Sequence, residues 1–90
     1  MKKKHLHKTI QELHAELTRT QPADDHVRGH IERLILEIDL LKAEPGEIPS
    51  HRYREFLERL RESVQHFEAS HLSLTQAVGR VIDALSNMGI

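Results

Sequence analysis

The sequence contains no cysteine. That absence excludes a disulfide framework, a thiolate metal site and a cysteine nucleophile. Tryptophan is missing too, and two phenylalanines and one tyrosine are the only aromatic residues, so Leu, Ile and Val must fill the core. No charge of either sign dominates: 13 Lys plus Arg against 14 Asp plus Glu leave a formal charge of −1 with neutral histidines. A dedicated nucleic-acid binder carries a basic excess on one face, so this balance argues against that class. No stretch approaches the roughly 20 apolar residues of a membrane span, and no membrane partner is expected. Lys2, Lys3 and Lys4 resemble the basic start of a signal peptide, but Lys8, Gln11 and Glu12 interrupt the apolar run that should follow. The three lysines read as a disordered polar start, with weak attraction to anionic surfaces as the minor reading. A soluble cytoplasmic protein is the expectation.

What is present is a repeated apolar spacing. Leu6, Ile10, Leu13 and Leu17 step by four, three and four. The same steps run through Val27, Ile31, Leu34, Ile38 and Leu41, then Tyr53, Leu57, Leu60, Val64 and Phe67, then Leu74, Val78, Val81, Leu85 and Met88. Such steps align side chains on one stripe of an α-helix, where they meet a neighbouring helix. The spacing predicts an all-α protein of two consecutive helical hairpins. Ninety residues hold one core, so residues 1–90 read as a single domain, and so small a chain gains from added interface. Completion of a bundle by homodimerisation is therefore expected.

Breakers and caps place the boundaries. Helix one runs from about Lys3 to Thr20, where Pro22 forbids continuation. Asp24 caps helix two, with Asp25 near the positive end of its dipole, and the helix stops near Ala43 before Pro45-Gly46. Pro49-Ser50 opens helix three, which continues to about Ala69. Ser73 and Gln76 form a capping box, so a break near Ser70 and a fourth helix from Leu74 are expected. The competing reading is one helix from Ser50 to Met88. Gly89 suits a left-handed C′ position, with Ile90 touching Leu85 as in a Schellman motif. Helix two adds Ile35, Leu36 and Leu40 outside its stripe, which predicts a central position buried on several sides. Helix one, with its narrow stripe, is expected at an edge.

The C-terminal third carries a resemblance. Phe67-Glu68-Ala69-Ser70-His71, then Leu74-Thr75, then Val81-Ile82-Asp83-Ala84-Leu85-Ser86-Asn87-Met88-Gly89-Ile90 resembles the ending of a family of small bacterial proteins designated domain of unknown function 4404. Leu13-His14-Ala15-Glu16-Leu17 is similar to that family's opening. Where the family often carries Pro after the Ser-His pair, this chain has Leu72, which counts against a sharp break there. The resemblance implies an all-helical bacterial protein and brings no activity, ligand or catalytic residue.

Candidate chemistry rests on eight histidines. His26 and His30, spaced i, i+4, can face one point on a helix and chelate a divalent cation, with Asp25 assisting. Two imidazoles favour Cu, Ni or Zn, and another subunit would have to supply more ligands for tight binding. The zinc-protease sequence H-E-x-x-H is absent, and two solvated surface histidines are the plainer reading. Ser70-His71 suggests a nucleophile and base, but adjacent helical residues diverge and no acid orients the histidine, so Ser70 reads as a turn residue. Arg52, Arg54, Arg59 and Arg61 suggest a phosphate-binding face. Glu55, Glu58, Glu62 and Glu68 interleave with them, so the face reads as solvated and partly self-paired, as in Glu55–Arg59. Gly29 and Gly79 read either as points of close helix approach or as tolerated exposed glycines.

No catalytic residue, cofactor site or enzyme activity is expected. The reading is a non-enzymatic helical interaction or structural module that forms a homodimer or binds a partner helix. The alternative is a weak metal-binding or metal-responsive protein using His26 and His30.

Overall fold

The computed structural model describes residues 2–22, 24–67 and 71–89. They form four α-helices, and no strand occurs among the described residues: α1 (Lys2–Arg19), α2 (Asp25–Ala43), α3 (Ser50–Phe67) and α4 (Leu72–Asn87). Each helix packs against two others, α1 on α2 and α4, and α3 on α2 and α4. That ring, with short connections, is an up-down-up-down four-helix bundle.

The apolar stripes form its interior. Every stripe residue is buried except Val64 and Met88, which pack partly buried against the same core. Phe56, Ala77 and Ala84 join them from positions beside the stripes. Two polar side chains, Thr9 and Ser63, are also buried, and the Thr9 hydroxyl donates to the Leu6 carbonyl at 2.8 Å within its own helix. The radius of gyration, 12.5 Å, is close to the roughly 12 Å of a compact chain of this length. One chain thus closes its own core, and a second copy would have to dock on the outside.

Helix two is not the centre. Its buried residues are the single stripe Val27, Ile31, Leu34, Ile38 and Leu41, whereas Leu36 and Leu40 face outward. The extra leucines lie on the side opposite α1 and α3. Helix one, expected at an edge, is as enclosed as the rest, with Leu6 and Leu13 fully buried.

The ends follow local chemistry, with one correction. The Asp24 carboxylate accepts the His26 N–H at 2.7 Å, capping α2. Glu44 closes that helix and Gly46 turns with φ +75°, which glycine adopts without strain. The capping box at Ser73 does not form: α4 begins at Leu72, with His71 as its N-cap and no side-chain cap bond. The His71 carbonyl instead accepts the Thr75 N–H at 3.0 Å and the Thr75 hydroxyl at 3.1 Å. Helix three is described to Phe67, and the expected break at Ser70 lies outside the described residues. At the other end Gly89 has φ +79° and its N–H reaches the Ser86 carbonyl at 3.1 Å, the C′-to-C2 bond of a Schellman motif. Ile90 lies outside the described residues.

Candidate functional site

The antiparallel seam between α2 and α3 carries a ladder of polar pairs. Glu44 meets Arg52 at 3.8 Å, and Glu37 meets Arg59 at 3.2 Å. The next pair is His30 and His66, whose rings stack with centroids 4.0 Å apart and planes 19° from parallel. On each helix the members are seven residues apart, two turns, so they recur every ~10.5 Å on the same side. Arg59 and Arg52 therefore bridge helices, and Arg59 pairs with Glu37 rather than with Glu55 of its own helix. Their guanidinium groups are committed to carboxylates across the seam.

The last pair gathers a third histidine. His26, one turn before His30, places its Nε2 3.2 Å from Nδ1 of His66. The His26 ring stands edge-on to the other two, with centroids 4.9 Å from His30 and 4.7 Å from His66. One nitrogen from each of the three rings falls within a cluster no wider than 4.8 Å. His26 and His66 are exposed and His30 is half-buried. Asp25 shares the groove wall with His26, Gly29, His30 and Arg33, but its carboxylate lies 3.5 Å from Arg28 and it is not among the converging groups.

Burial holds the His30 imidazolium below the ordinary histidine range, and the charges of His66, His26 and Arg33 push it further the same way, while Glu62 opposes them. Each of these groups except Glu62 disfavours a proton on His30, so at neutral pH the ring is an uncharged donor of a lone pair.

His26 and His30 share one face of α2, and His66, which the sequence analysis did not single out, lies beside them. The hairpin register, set by packing across the α2–α3 seam, brings residue 30 opposite residue 66. Nothing in the spacing within either helix reveals it. Of the other candidates, Ser70 lies outside the described residues and His71 is the α4 N-cap, where its backbone carbonyl accepts from Thr75. Gly29 and Gly79 mark no close approach, since a Cβ on either would meet open space. His14 of α1, half-buried, lies 3.3 Å from the exposed Asp39 of α2, a separate pair. A cleft of about 320 Å³ between α1 and the α2–α3 turn is lined by His7, Ile10, Gln11, Leu41, Lys42, Glu44, Gly46, Ile48 and Tyr53. Its single carboxylate, Glu44, is paired with Arg52.

No helix among the described residues is long and apolar enough to cross a membrane. Comparison with curated proteins and with solved structures returns no match. The ending that resembled a known family extends through nearly the whole chain: the family model described as Domain of unknown function (DUF4404) matches residues 6–90, and the chain belongs to that family.

Proposed function

We propose that this chain is a non-enzymatic helical module that associates through the outer face of α2, with a second copy of itself as the partner. The observation that carries the reading is the exposure of Leu36, 59%, and Leu40, 50%, one turn apart on a helix whose core-facing stripe is already satisfied. They belong to a second stripe of steps four and three, Gly29, Arg33, Leu36, Leu40 and Ala43, all exposed. A stripe with leucines at its middle and small residues at both ends can pack against a reversed copy of itself, as a two-fold interface requires. Both leucines are already half-covered, so burying them in each copy gains several kcal/mol, close to the lower estimates of the cost of association. The dimer is therefore weak, forming in the micromolar range or above.

Sedimentation equilibrium over micromolar to millimolar chain tests this. The parent is expected to rise above the 10.4 kDa of one chain as concentration increases. The double variant Leu36→Lys, Leu40→Lys should remain at one chain with unchanged helicity. A parent that stays monomeric throughout, or a double variant that associates equally, overturns the reading.

A further inference from the structure

We propose that His26, His30 and His66 form a three-imidazole site that binds one borderline transition-metal dication, Zn2+, Ni2+ or Cu2+, within a single chain. The site clips the first turns of α2 to the last turn of α3.

Three observations converge on it. The donor set is the first: three imidazoles, with no carboxylate or thiolate among the converging groups, suit borderline cations and discriminate against Mg2+ and Ca2+, which take oxygen ligands. The second is distance. Three nitrogens each about 2.0–2.1 Å from a tetrahedral ion stand about 3.3 Å apart. His26 Nε2 and His66 Nδ1 already meet that spacing at 3.2 Å, and the whole cluster spans at most 4.8 Å. Closing it needs rotation of the half-buried His30 ring and the exposed His66 ring, which are stacked and must turn their lone pairs inward. The third is an open side: His26 and His66 face solvent, which leaves a fourth position for water or a ligand from outside.

The surroundings tune the site without blocking it. Glu62 favours a cation beside His30 and Arg33 opposes it. The ligands must be unprotonated, so protons compete, and the disfavoured His30 imidazolium weakens that competition near neutral pH. Because the three residues come from two helices, an ion bound here stabilises the folded chain by binding it in preference to the unfolded one.

Calorimetric titration of the full chain, made without a polyhistidine tag, with Zn2+ and with Mg2+ at pH 7.5 tests the proposal. The expected result is one Zn2+ per chain, no Mg2+ binding at that site, and a melting temperature raised by Zn2+. His66→Gln and His26→Gln should each weaken Zn2+ by at least about tenfold, since removing a ligand costs no less than removing the groups that orient it. Both residues are exposed, so the variants should keep the parent's helicity, and His51→Gln, remote in α3, should bind like the parent. Absence of a saturable Zn2+ site overturns the proposal. So does parental affinity in His66→Gln, and so does a stoichiometry of one ion per two chains, which would place the ion between copies.

Discussion

Two glycines at the residue scale have opposite fates under the same substitution. Gly89 sits at φ +79°, where a Cβ crowds the following carbonyl, although the space around it is open. Gly89→Ala is expected to destabilise by about 1–2 kcal/mol. Gly79 lies in the middle of α4 with nothing within 4 Å of an added Cβ and no such strain. Gly79→Ala should stabilise by up to about 1 kcal/mol, because alanine loses less backbone freedom in a helix. Urea titrations of both variants beside the parent read the two signs. A silent Gly89→Ala would mean that the left-handed cap contributes nothing to the folded chain.

His30 supplies the second prediction at this scale. Its folded pKa lies below its unfolded one, so the unfolded chain takes up the proton first. Its contribution is intact above pH about 6.5, is lost as pH falls below that value, and levels off under the folded pKa. The groups facing it are His26 on its own helix, His66 and Glu62 on α3, and Arg33. Unfolding free energies at pH 7.5 and 5.5 should differ less in His30→Gln than in the parent. Equal pH slopes would show that His30 does not carry the effect.

Among the elements, the α2–α3 seam tests whether the seven-residue ladder sets register. Arg59 and Glu37 are both partly exposed, so their pair contributes only about 0.2–1 kcal/mol. Arg59→Glu alone places two carboxylates opposite each other and should destabilise by a similar amount. Restoring opposite signs with Glu37→Arg should recover most of the loss. A double-mutant cycle with no coupling between the two positions would show that their contact is incidental. The caps at this scale are unequal. Asp24 gives α2 a side-chain partner for an orphan N–H, whereas α4 starts without one, and its first turn is held by Thr75 folding back on His71.

At the scale of the whole molecule, all four stripes meet in one buried cluster. Leu34 lies at its centre with no exposed surface. Leu34→Ala is expected to cost about 2–5 kcal/mol, a large part of the total stability of so small a chain. A loss below about 1 kcal/mol in urea unfolding would mean that the site collapses around the missing atoms. Because one chain closes this core, the association proposed through the outer face of α2 is separable from folding.

By itself the sequence determined the helices, their core-facing stripes, the cap at Asp24 and the stop at Gly89. Each of these depends on contacts within a few residues, which helical periodicity and backbone preference report directly. It also misdirected, placing at an edge an α1 that is as enclosed as the other helices. The apolar surplus of α2 read as burial on several sides, because composition does not distinguish a leucine facing a neighbour from one facing water. The capping box at Ser73 had the right residues two positions past the actual N-cap, His71, of a helix that begins at Leu72. Only the tertiary structure decided that one chain closes its own bundle and that His66 joins His26 and His30. Those outcomes depend on how an antiparallel pair of helices slides into register, which packing across the seam sets and the spacing along either helix does not record.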